Sequence, residues 1–382
     1  MTALAAPAWL IRAQAPYAGL DRQLLANAGA LALLGLIVSM AASPAAAARM
    51  NIDADFHFAG RHAVFVLAGA VLLALVARLS AVSVRRLGVI VFAVALPLCI
   101  VASLTSEIKG AARWIDLGPL SLQPSEFLKP GFVIAVAWML SEKTRNPAFP
   151  GIGIAACLYA FSAAVLLSQP DVGQTALMGA TLAGMLFLAG LSWFWIVGGA
   201  AVAVAAGFAA YAAFPHVRAR WEAFVEPEGP GGYQVGRALD AIASGGLFGR
   251  GPGEGVVKLQ LPDAHADFLF AVAAEEFGLL ASLALIGLFA ALVLRGLSRA
   301  SRLSDPFAQL AAGGLVLMLA AQAAIHVAVN LALIPAKGMT LPLVSYGGSS
   351  MLSAALTVGP VRALSRAAPG AFLFQRKGDG HV

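Results

Sequence analysis

The run LLANAGALALLGLIVSMAASP at residues 24–44 contains no charged residue and is long enough to cross a lipid bilayer as one helix. It could be mistaken for a secretory signal, because the alanines at residues 45–48 resemble a cleavage site. The run is longer than the usual signal core of about 7 to 15 residues, and many further apolar runs follow it. We therefore predict that it is an uncleaved first transmembrane span.

Nine further apolar runs are separated from one another by charged residues or by Pro and Gly clusters. They lie at residues 62–79, 87–105, 127–141, 151–168, 172–192, 195–214, 268–294, 307–333 and 344–361. Of all residues 60% are hydrophobic and 12% charged, whereas a soluble chain is about half apolar and a quarter charged. The sequence predicts an all-α polytopic membrane protein of about ten transmembrane helices, forming one domain over residues 1–382.

The distribution of charge predicts how the chain is oriented in an inner membrane. An even number of spans puts both termini on one side. The loops on that side carry 14 basic and 4 acidic residues, and the rest of the chain carries 11 basic and 15 acidic residues. Basic residues concentrate in cytoplasmic loops. Residues 1–23 and 367–382 are therefore predicted to be cytoplasmic. The long loop at residues 215–267, between the seventh and eighth spans, is predicted to be extracytoplasmic.

The composition excludes several classes of site. The two cysteines, Cys99 and Cys157, lie inside apolar runs, so neither a disulfide framework nor a cysteine metal site is predicted. The net charge of +6 does not indicate a nucleic-acid partner, because its sidedness matters more than its total. The glycines of residues 249–255 lack the strand–turn–helix context of a nucleotide loop. Most of them are interpreted as turns, although such a backbone can also approach a pyrophosphate closely.

Charged residues follow the third apolar run on the predicted outer side. Arg113 and Trp114 suit a lipid headgroup, because a guanidinium binds phosphate bidentately and an indole favours the membrane interface. A plain interfacial anchor is the alternative. Glu126 and Lys129 are three residues apart and share one face of a helix. They either contact the substrate or form a structural ion pair.

Two further charged segments are predicted on the same side. Asp171 lies at the break between the fifth and sixth runs, where it either caps the next helix or has a functional role. Arg218 and Arg220 are near the start of the long loop, and we predict that they face an anionic substrate rather than forming a solvated pair.

Asp267 is at the start of the eighth apolar run. One interpretation is helix N-capping, and the other is a general base whose pKa is raised toward the working pH by partial desolvation. His265 is a candidate partner or cation ligand, although one histidine and two aspartates do not make a strong metal signature. Glu275 and Glu276 lie about two turns into the helix, and they must face the bundle interior or water.

A polar stripe runs along the ninth predicted helix. Gln322, His326 and Asn330 are spaced by four residues and share one face. They form interhelical hydrogen bonds or line a polar cavity. Lys337 and Ser345 follow in the next connection, where the small residues indicate either close helix packing or contact with a substrate.

Four segments in this order resemble the motifs of the SEDS family of cell-wall glycosyltransferases. They are Gly110 to Lys129, Gln169 to Asp171, Pro262 to Glu276, and Pro335 to Ser350. The resemblance spans most of the chain, and four ordered motifs on the expected topology are highly specific. One departure is visible, because relatives usually have Asn where this chain has His326.

The region around residues 251–278 resembles the division branch of the family more closely than the elongation branch. The resemblance implies an enzyme that polymerises lipid II into β-1,4 glycan strands during septal cell-wall synthesis. It implies as partners lipid II, the nascent glycan strand, a crosslinking class B penicillin-binding protein of the FtsI type and other division proteins of the membrane. It also implies that the acidic residue of a His-x-Asp-Phe motif, here Asp267, is essential.

The implied mechanism is chemically reasonable. The donor sugar is α-linked to pyrophosphate and the product linkage is β, so one in-line displacement suffices. Asp267 is predicted to deprotonate the acceptor 4-hydroxyl, without the carboxylate pair of glycoside hydrolases. The predicted substrate-binding residues are Arg113, Trp114, Glu126, Lys129, Arg218, Arg220, His265, Lys337 and Ser345. The Arg and Lys side chains among them are candidate pyrophosphate partners, with a divalent cation, Mg²⁺ or Mn²⁺, as a possible addition and no organic cofactor.

Two other functions remain open from the sequence. A lipid flippase would use the polar stripe and the intramembrane glutamates as a translocation path, although the charged motifs cluster on one face of the membrane. A noncatalytic scaffold would recruit the crosslinking partner without acting on lipid II.

Overall fold

The computed structural model describes residues 8–104, 113–118, 121–225, 233–335 and 338–366. Within these ranges, the structure does not describe the side chains of residues 8–21, 196, 203, 210, 215, 216, 220 and 223. Lys337 and the side chain of Arg220, two of the predicted anion partners, therefore lie outside the described part, as does the predicted cytoplasmic tail 367–382.

Helices make up most of the described chain. The first half contains α1 (Ala8–Arg49), α2 (His57–Val76), α3 (Ala81–Ser103), the short strands β1 (Ile115–Asp116) and β2 (Ser121–Leu122), α4 (Pro124–Arg145), α5 (Gly151–Ser168) and α6 (Val172–Leu188). The second half contains α7 (Trp193–Ala213), α8 (Pro215–Val225), α9 (Tyr233–Gly245), a 3₁₀ helix (Val257–Gln260), α10 (Leu269–Ala300), α11 (Pro306–Asn330) and α12 (Gly348–Ser365). The strands pair antiparallel, with Ile115 opposite Leu122.

The all-α membrane class is confirmed. By length and composition, 7 helices of the described chain can cross a membrane: α1 from Arg22 onward, α2, α3, α5, α7, α10 and α11. Each of the other three predicted runs also overlaps a helix, namely α4, α6 or α12. Helix α6 has only 17 residues, α4 carries Glu126 and Lys129, and α12 carries several serines. The count of ten spans therefore stays a prediction.

Helix α4 forms the centre of the bundle. It packs against α3, α5, α6, α11 and α12, and its side chains Leu128, Phe132 and Val136 are fully buried. This surrounding protein keeps the polar residues of α4 away from lipid, where an ionised side chain is costly. Helix α7, in contrast, exposes large apolar side chains such as Trp193 and Phe208, as a lipid-facing helix does.

Helix α10 is interrupted at Gly278, which has a φ of 80° and a ψ of −177°. The interruption leaves backbone N–H and carbonyl groups of α10 without a partner inside the helix. These groups form hydrogen bonds with residues 246–251 instead. The N–H of Arg250 donates to the carbonyl oxygen of Glu275 at 2.9 Å, and the N–H of Leu279 donates to that of Gly246 at 2.9 Å. A Cβ at position 278 would collide with the backbone of Leu247 and residue 249. Glycine is therefore required by both its φ and the close approach of this loop.

The long connection predicted at residues 215–267 is more structured than a loop. It contains α8, α9 and the 3₁₀ helix. Helix α9 packs against α10 through its buried Val235, Ala238, Ala241 and Gly245. Helix α9 and the 3₁₀ helix are thus held against α10, which directly follows Asp267.

Candidate functional site

Asp267 lies in the turn that leads into α10, and its residue is half-buried. The N-cap of α10 is Phe268, which makes no side-chain cap hydrogen bond. The interpretation of Asp267 as the N-cap is therefore wrong. Asn330, at the end of α11, caps the helix instead. Its Oδ1 accepts from the N–H of Ala271 at 3.1 Å, and its Nδ2 donates to the carbonyl oxygen of Asp267 at 3.2 Å, which fixes the backbone that carries the carboxylate.

The connection between α11 and α12 forms a wall beside Asp267. Gly338 lies so close that a Cβ added there would be 3.1 Å from Oδ2 of Asp267. The hydroxyl of Ser345 donates to the carbonyl oxygen of Ala266 at 2.6 Å, and the N–H of Tyr346 donates to that of His265 at 3.1 Å. We call residues 338–346 the α11–α12 wall. Three contacts join it to the turn that carries Asp267.

Ser345 holds the wall to this turn rather than pointing into open space. Its exposed fraction is 1%, and its Oγ also accepts from the N–H of Leu341 at 3.0 Å. A hydroxyl with one donor and one occupied acceptor position is largely satisfied within the protein. Contact between Ser345 and a substrate stays a prediction.

His265 belongs to an aromatic cluster between the Asp267 turn and α2. Its ring centroid is 4.6 Å from that of Phe58 and 5.3 Å from that of Tyr346. His62 is fully buried, and both of its ring nitrogens lack a hydrogen-bond partner among the described residues. Phe58 and His62 were not predicted from the sequence, although a histidine at the start of an apolar run was a visible signal.

Arg113 binds the turn between α5 and α6. Its Nε donates to the carbonyl oxygen of Gln169 at 3.1 Å, and a terminal nitrogen donates to that of Pro170 at 2.5 Å. Nε is also 3.7 Å from Oδ2 of Asp171, and the two side chains are 11% and 5% exposed. The guanidinium therefore fastens the segment before β1 to this turn. Trp114, beside it, is half-buried.

The capping interpretation of Asp171 is confirmed, since its side chain accepts from the N–H of Gln174 at 3.2 Å at the start of α6. Burial raises the pKa of Asp171 above its ordinary value of 3.8, and the nearby Arg113 guanidinium opposes that shift. A carboxylate is thus held where its charged form is only partly compensated.

Glu126 and Lys129 form a buried ion pair, which was one of the two interpretations drawn from their spacing. Nζ of Lys129 is 2.9 Å and 3.0 Å from the two carboxylate oxygens of Glu126. Lys129 also donates to Oε1 of Gln322 at 2.9 Å, and Gln174 donates to Glu126 at 3.0 Å. The side chains of Lys129 and Glu126 are 1% and 5% exposed, respectively. The pair therefore links α4 to α6 and α11 inside the bundle. Contact of either residue with a substrate stays a prediction.

The polar stripe of α11 makes interhelical hydrogen bonds, as one of the two interpretations predicted, and it also binds the α11–α12 wall. Nε2 of Gln322 donates to the carbonyl oxygen of Thr340 at 3.0 Å. Nδ1 of His326 is 2.7 Å from the carbonyl oxygen of Met339, which assigns the proton of the ring to Nδ1. Gln322 also lines a small cavity in the bundle, together with Glu126 and Ser353.

Glu275 and Glu276 are fully buried and bind the glycine-rich loop. Oε1 of Glu275 accepts from the N–H groups of Val256 and Val257, each at 2.7 Å, and Oε2 accepts from that of Lys258 at 2.8 Å. Glu276 accepts from the N–H groups of residues 253 and 255 and pairs with Nζ of Lys258. We call this arrangement the glutamate clamp. It occupies the N–H groups of residues 253 and 255–258, so these groups are not available to a pyrophosphate.

Arg218 is exposed on α8. Its described contacts are with α7, namely a hydrogen bond to the carbonyl oxygen of Ala212 at 3.1 Å and a cation–π contact with Tyr211 at 5.5 Å. The structure therefore does not bring Arg218 into the cluster around Asp267.

In the part of the chain that the structure describes, no group of three or more His, Cys, Asp or Glu side chains could hold a metal ion. The described residues alone therefore do not complete a divalent-cation site beside Asp267.

Known proteins of similar sequence cover nearly the whole chain. A Caulobacter vibrioides protein named "Probable peptidoglycan glycosyltransferase FtsW" is 47% identical over 358 residues, which cover 92% of this chain and 90% of the relative. A Halomonas elongata protein of the same name is 36% identical, over 89% of this chain and 88% of the relative.

Two solved structures share the fold. A chain from a structure described as "Structural coordination of polymerization and crosslinking by a peptidoglycan synthase complex" has a TM-score of 0.74 and 28% identity, covering 90% of this chain and 96% of that chain. The rod shape determining protein RodA of Thermus thermophilus has a TM-score of 0.66 and 28% identity, covering 90% and 95%. A sequence profile of the FtsW/RodA/SpoVE family, described as "Cell cycle protein", matches residues 22–369. The chain therefore belongs to the FtsW/RodA/SpoVE family.

Proposed function

We propose that this chain is a peptidoglycan glycosyltransferase that polymerises lipid II into β-1,4 glycan strands during septal cell-wall synthesis. The observation that carries the proposal is the setting of Asp267. The carboxylate is half-buried at the start of α10, on a backbone fixed by Asn330 and against the α11–α12 wall at Gly338. The relatives named FtsW support the same activity.

Asp267 acts as the general base. It accepts the proton of the acceptor 4-hydroxyl while that oxygen forms a bond to the anomeric carbon of the donor. The bond from this carbon to the lipid pyrophosphate breaks in the same step, which inverts the α linkage to β. Positioning of the two sugars and stabilisation of the departing pyrophosphate supply most of the rate. One carboxylate suffices, because the pyrophosphate leaves as an anion that cations stabilise and needs no acid.

Two of the candidate cations for the pyrophosphate are bound to other groups of the protein. Arg113 binds backbone carbonyl groups, and Lys129 is paired with Glu126 inside the bundle. Lys337 directly precedes Gly338, which lies beside Asp267. We therefore propose Lys337 as the first pyrophosphate partner, with Arg220 as the second.

The proposed orientation follows from the charge distribution, and the proposed septal location follows from the resemblance to the division branch of the family. Both termini are in the cytoplasm, the protein lies in the inner membrane and is enriched at the septum, and Asp267 faces the extracytoplasmic side, where lipid II is polymerised. A class B penicillin-binding protein crosslinks the strands. The related chain from a complex that coordinates polymerisation and crosslinking supports such a partner.

The test of this function uses purified protein in liposomes that contain fluorescent lipid II, with and without the cognate penicillin-binding protein. We expect glycan strands of many disaccharides, separated by gel electrophoresis. Movement of lipid II across the bilayer without polymer would favour the flippase instead. Absence of both activities, together with binding of the penicillin-binding protein, would favour the scaffold.

A further inference from the structure

Gln322 connects two parts of the molecule that are distant in sequence. Its amide oxygen accepts from Nζ of Lys129 at 2.9 Å, and its amide nitrogen donates to the carbonyl oxygen of Thr340 at 3.0 Å. The orientation of the amide is determined by its neighbours, because an ammonium group can only donate and a carbonyl group can only accept. With an exposed fraction of 5%, the side chain has little access to water as a substitute partner.

The Lys129 end of this connection is fixed. Lys129 is 1% exposed, and its ammonium group contacts both carboxylate oxygens of Glu126 and the amide oxygen of Gln322. An ammonium group has three donors, so these three oxygens satisfy it. Glu126 is held in turn by Gln174 on α6. The ion pair thus provides Gln322 with an anchor at the centre of the bundle.

The Thr340 end belongs to the α11–α12 wall, which contacts the Asp267 turn. Thr340 is two residues from Gly338, whose backbone lies against Oδ2 of Asp267. Further along the wall, Ser345 donates to the carbonyl oxygen of Ala266 at 2.6 Å. A displacement of the wall at Thr340 is therefore transmitted to the space that the Asp267 carboxylate occupies.

From this chain of contacts we infer that Gln322 is a positioning residue for the reaction. Its two hydrogen bonds hold the α11–α12 wall in place relative to the buried Glu126–Lys129 pair. The wall in turn sets the position of the Asp267 carboxylate. The inference rests on the proposed function, since it assigns a role in the same reaction. In this inference the buried Glu126–Lys129 pair anchors Gln322 and does not need to contact the pyrophosphate.

The test replaces Gln322 with methionine, which has a similar length but neither donates nor accepts a strong hydrogen bond. The control is Gln309→Met, the same change at an exposed position of the same helix. We expect Gln322→Met to lower kcat about 10- to 100-fold, as a misplaced catalytic group does. KM for lipid II should stay within about twofold, because the interaction acts on the transition state rather than on substrate binding.

A second readout does not depend on activity. The N–H groups of Leu341, Val344 and Ser345 are hydrogen-bonded within the wall, so their exchange with deuterium reports its order. In Gln322→Met these amides should exchange at least about tenfold faster than in the wild type, and in Gln309→Met they should not. Either a wild-type kcat or wild-type exchange in Gln322→Met would overturn the inference. If wild-type protein makes no polymer, the proposed function fails, and the exchange result alone decides whether Gln322 orders the wall.

A double-mutant cycle guards against loss of folding in the Gln322 variant. Gly338→Ala pushes on Oδ2 of Asp267 directly and should lower kcat by itself, since the added Cβ would be 3.1 Å away. If Gln322 acts through the wall, the combined variant loses less activity than the product of the two single losses. Losses that multiply would mean that Gln322 acts independently of the wall, which contradicts the inference.

Discussion

Glu276→Ala is expected to destabilise the protein by about 3 to 5 kcal/mol, the usual effect of removing one partner of a buried ion pair. Lys258, 3% exposed, would keep its charge without the carboxylate that faces it. The N–H groups of Gly253 and Gly255 would also lose their acceptor. The effect should appear as a lower midpoint of thermal unfolding for the detergent-purified protein.

Two further variants show whether the destabilisation comes from the glutamate clamp. Glu254→Ala removes an exposed carboxylate from the same loop and should change the stability by less than about 0.5 kcal/mol. Adding Lys258→Met to Glu276→Ala removes the unpaired charge, so it should recover at least part of the lost stability. A single Glu276 variant as stable as the wild type would mean that the clamp does not hold the loop.

Asp267→Asn is expected to lower the polymerisation rate about 10²- to 10⁴-fold, the range that a general base contributes. Asparagine has nearly the same shape, so the α11–α12 wall should keep its position, but a neutral amide cannot accept the proton of the acceptor hydroxyl. Binding of lipid II should stay within about twofold of the wild type. The measurement is the initial rate of glycan formation at saturating lipid II, together with a direct binding assay.

Asp263→Asn is the matched control for this variant. Asp263 belongs to the same turn, and its carbonyl oxygen accepts from the N–H of Asp267 at 3.1 Å. Its φ is 51°, a conformation that asparagine adopts readily. The control should retain most of the activity. Equal losses in the two variants would show that the turn, rather than the Asp267 carboxylate, is what the reaction requires.

The helices were predictable because apolar length is a strong signal, and each predicted run overlaps a helix. The interruption of α10 was not predictable, since residues 268–294 read as one continuous run. The φ of 80° at Gly278 is stabilised by hydrogen bonds with residues 246–251. The path of residues 246–251 depends on tertiary contacts. Helix α9 was missed although its apolar residues at 235, 238 and 241 recur at helical spacing, because the whole segment was interpreted as a loop.

The candidate site was also only partly predictable from the sequence. Glu275 and Glu276 were predicted to face the bundle interior or water, and their full burial shows that they face the interior. Their partners, backbone N–H groups about 20 positions earlier, could not be found from spacing. Arg113 was predicted to bind a lipid headgroup or to anchor the chain at the interface, and its carbonyl partners at 169 and 170 carry no side-chain signature. Sequence patterns identify which side chains need a partner, whereas the path of the backbone decides which partner they find.

The proposed reaction requires that Asp267 faces the extracytoplasmic side. The measurement is labelling of single cysteines in intact cells with a membrane-impermeant maleimide, after replacement of the exposed Cys157. Gln260→Cys, exposed near the Asp267 turn, and Ser301→Cys, exposed after α10, form the matched pair. We expect that Gln260→Cys is labelled in intact cells and that Ser301→Cys is labelled only after the membrane is opened. The reverse pattern would contradict the proposed orientation.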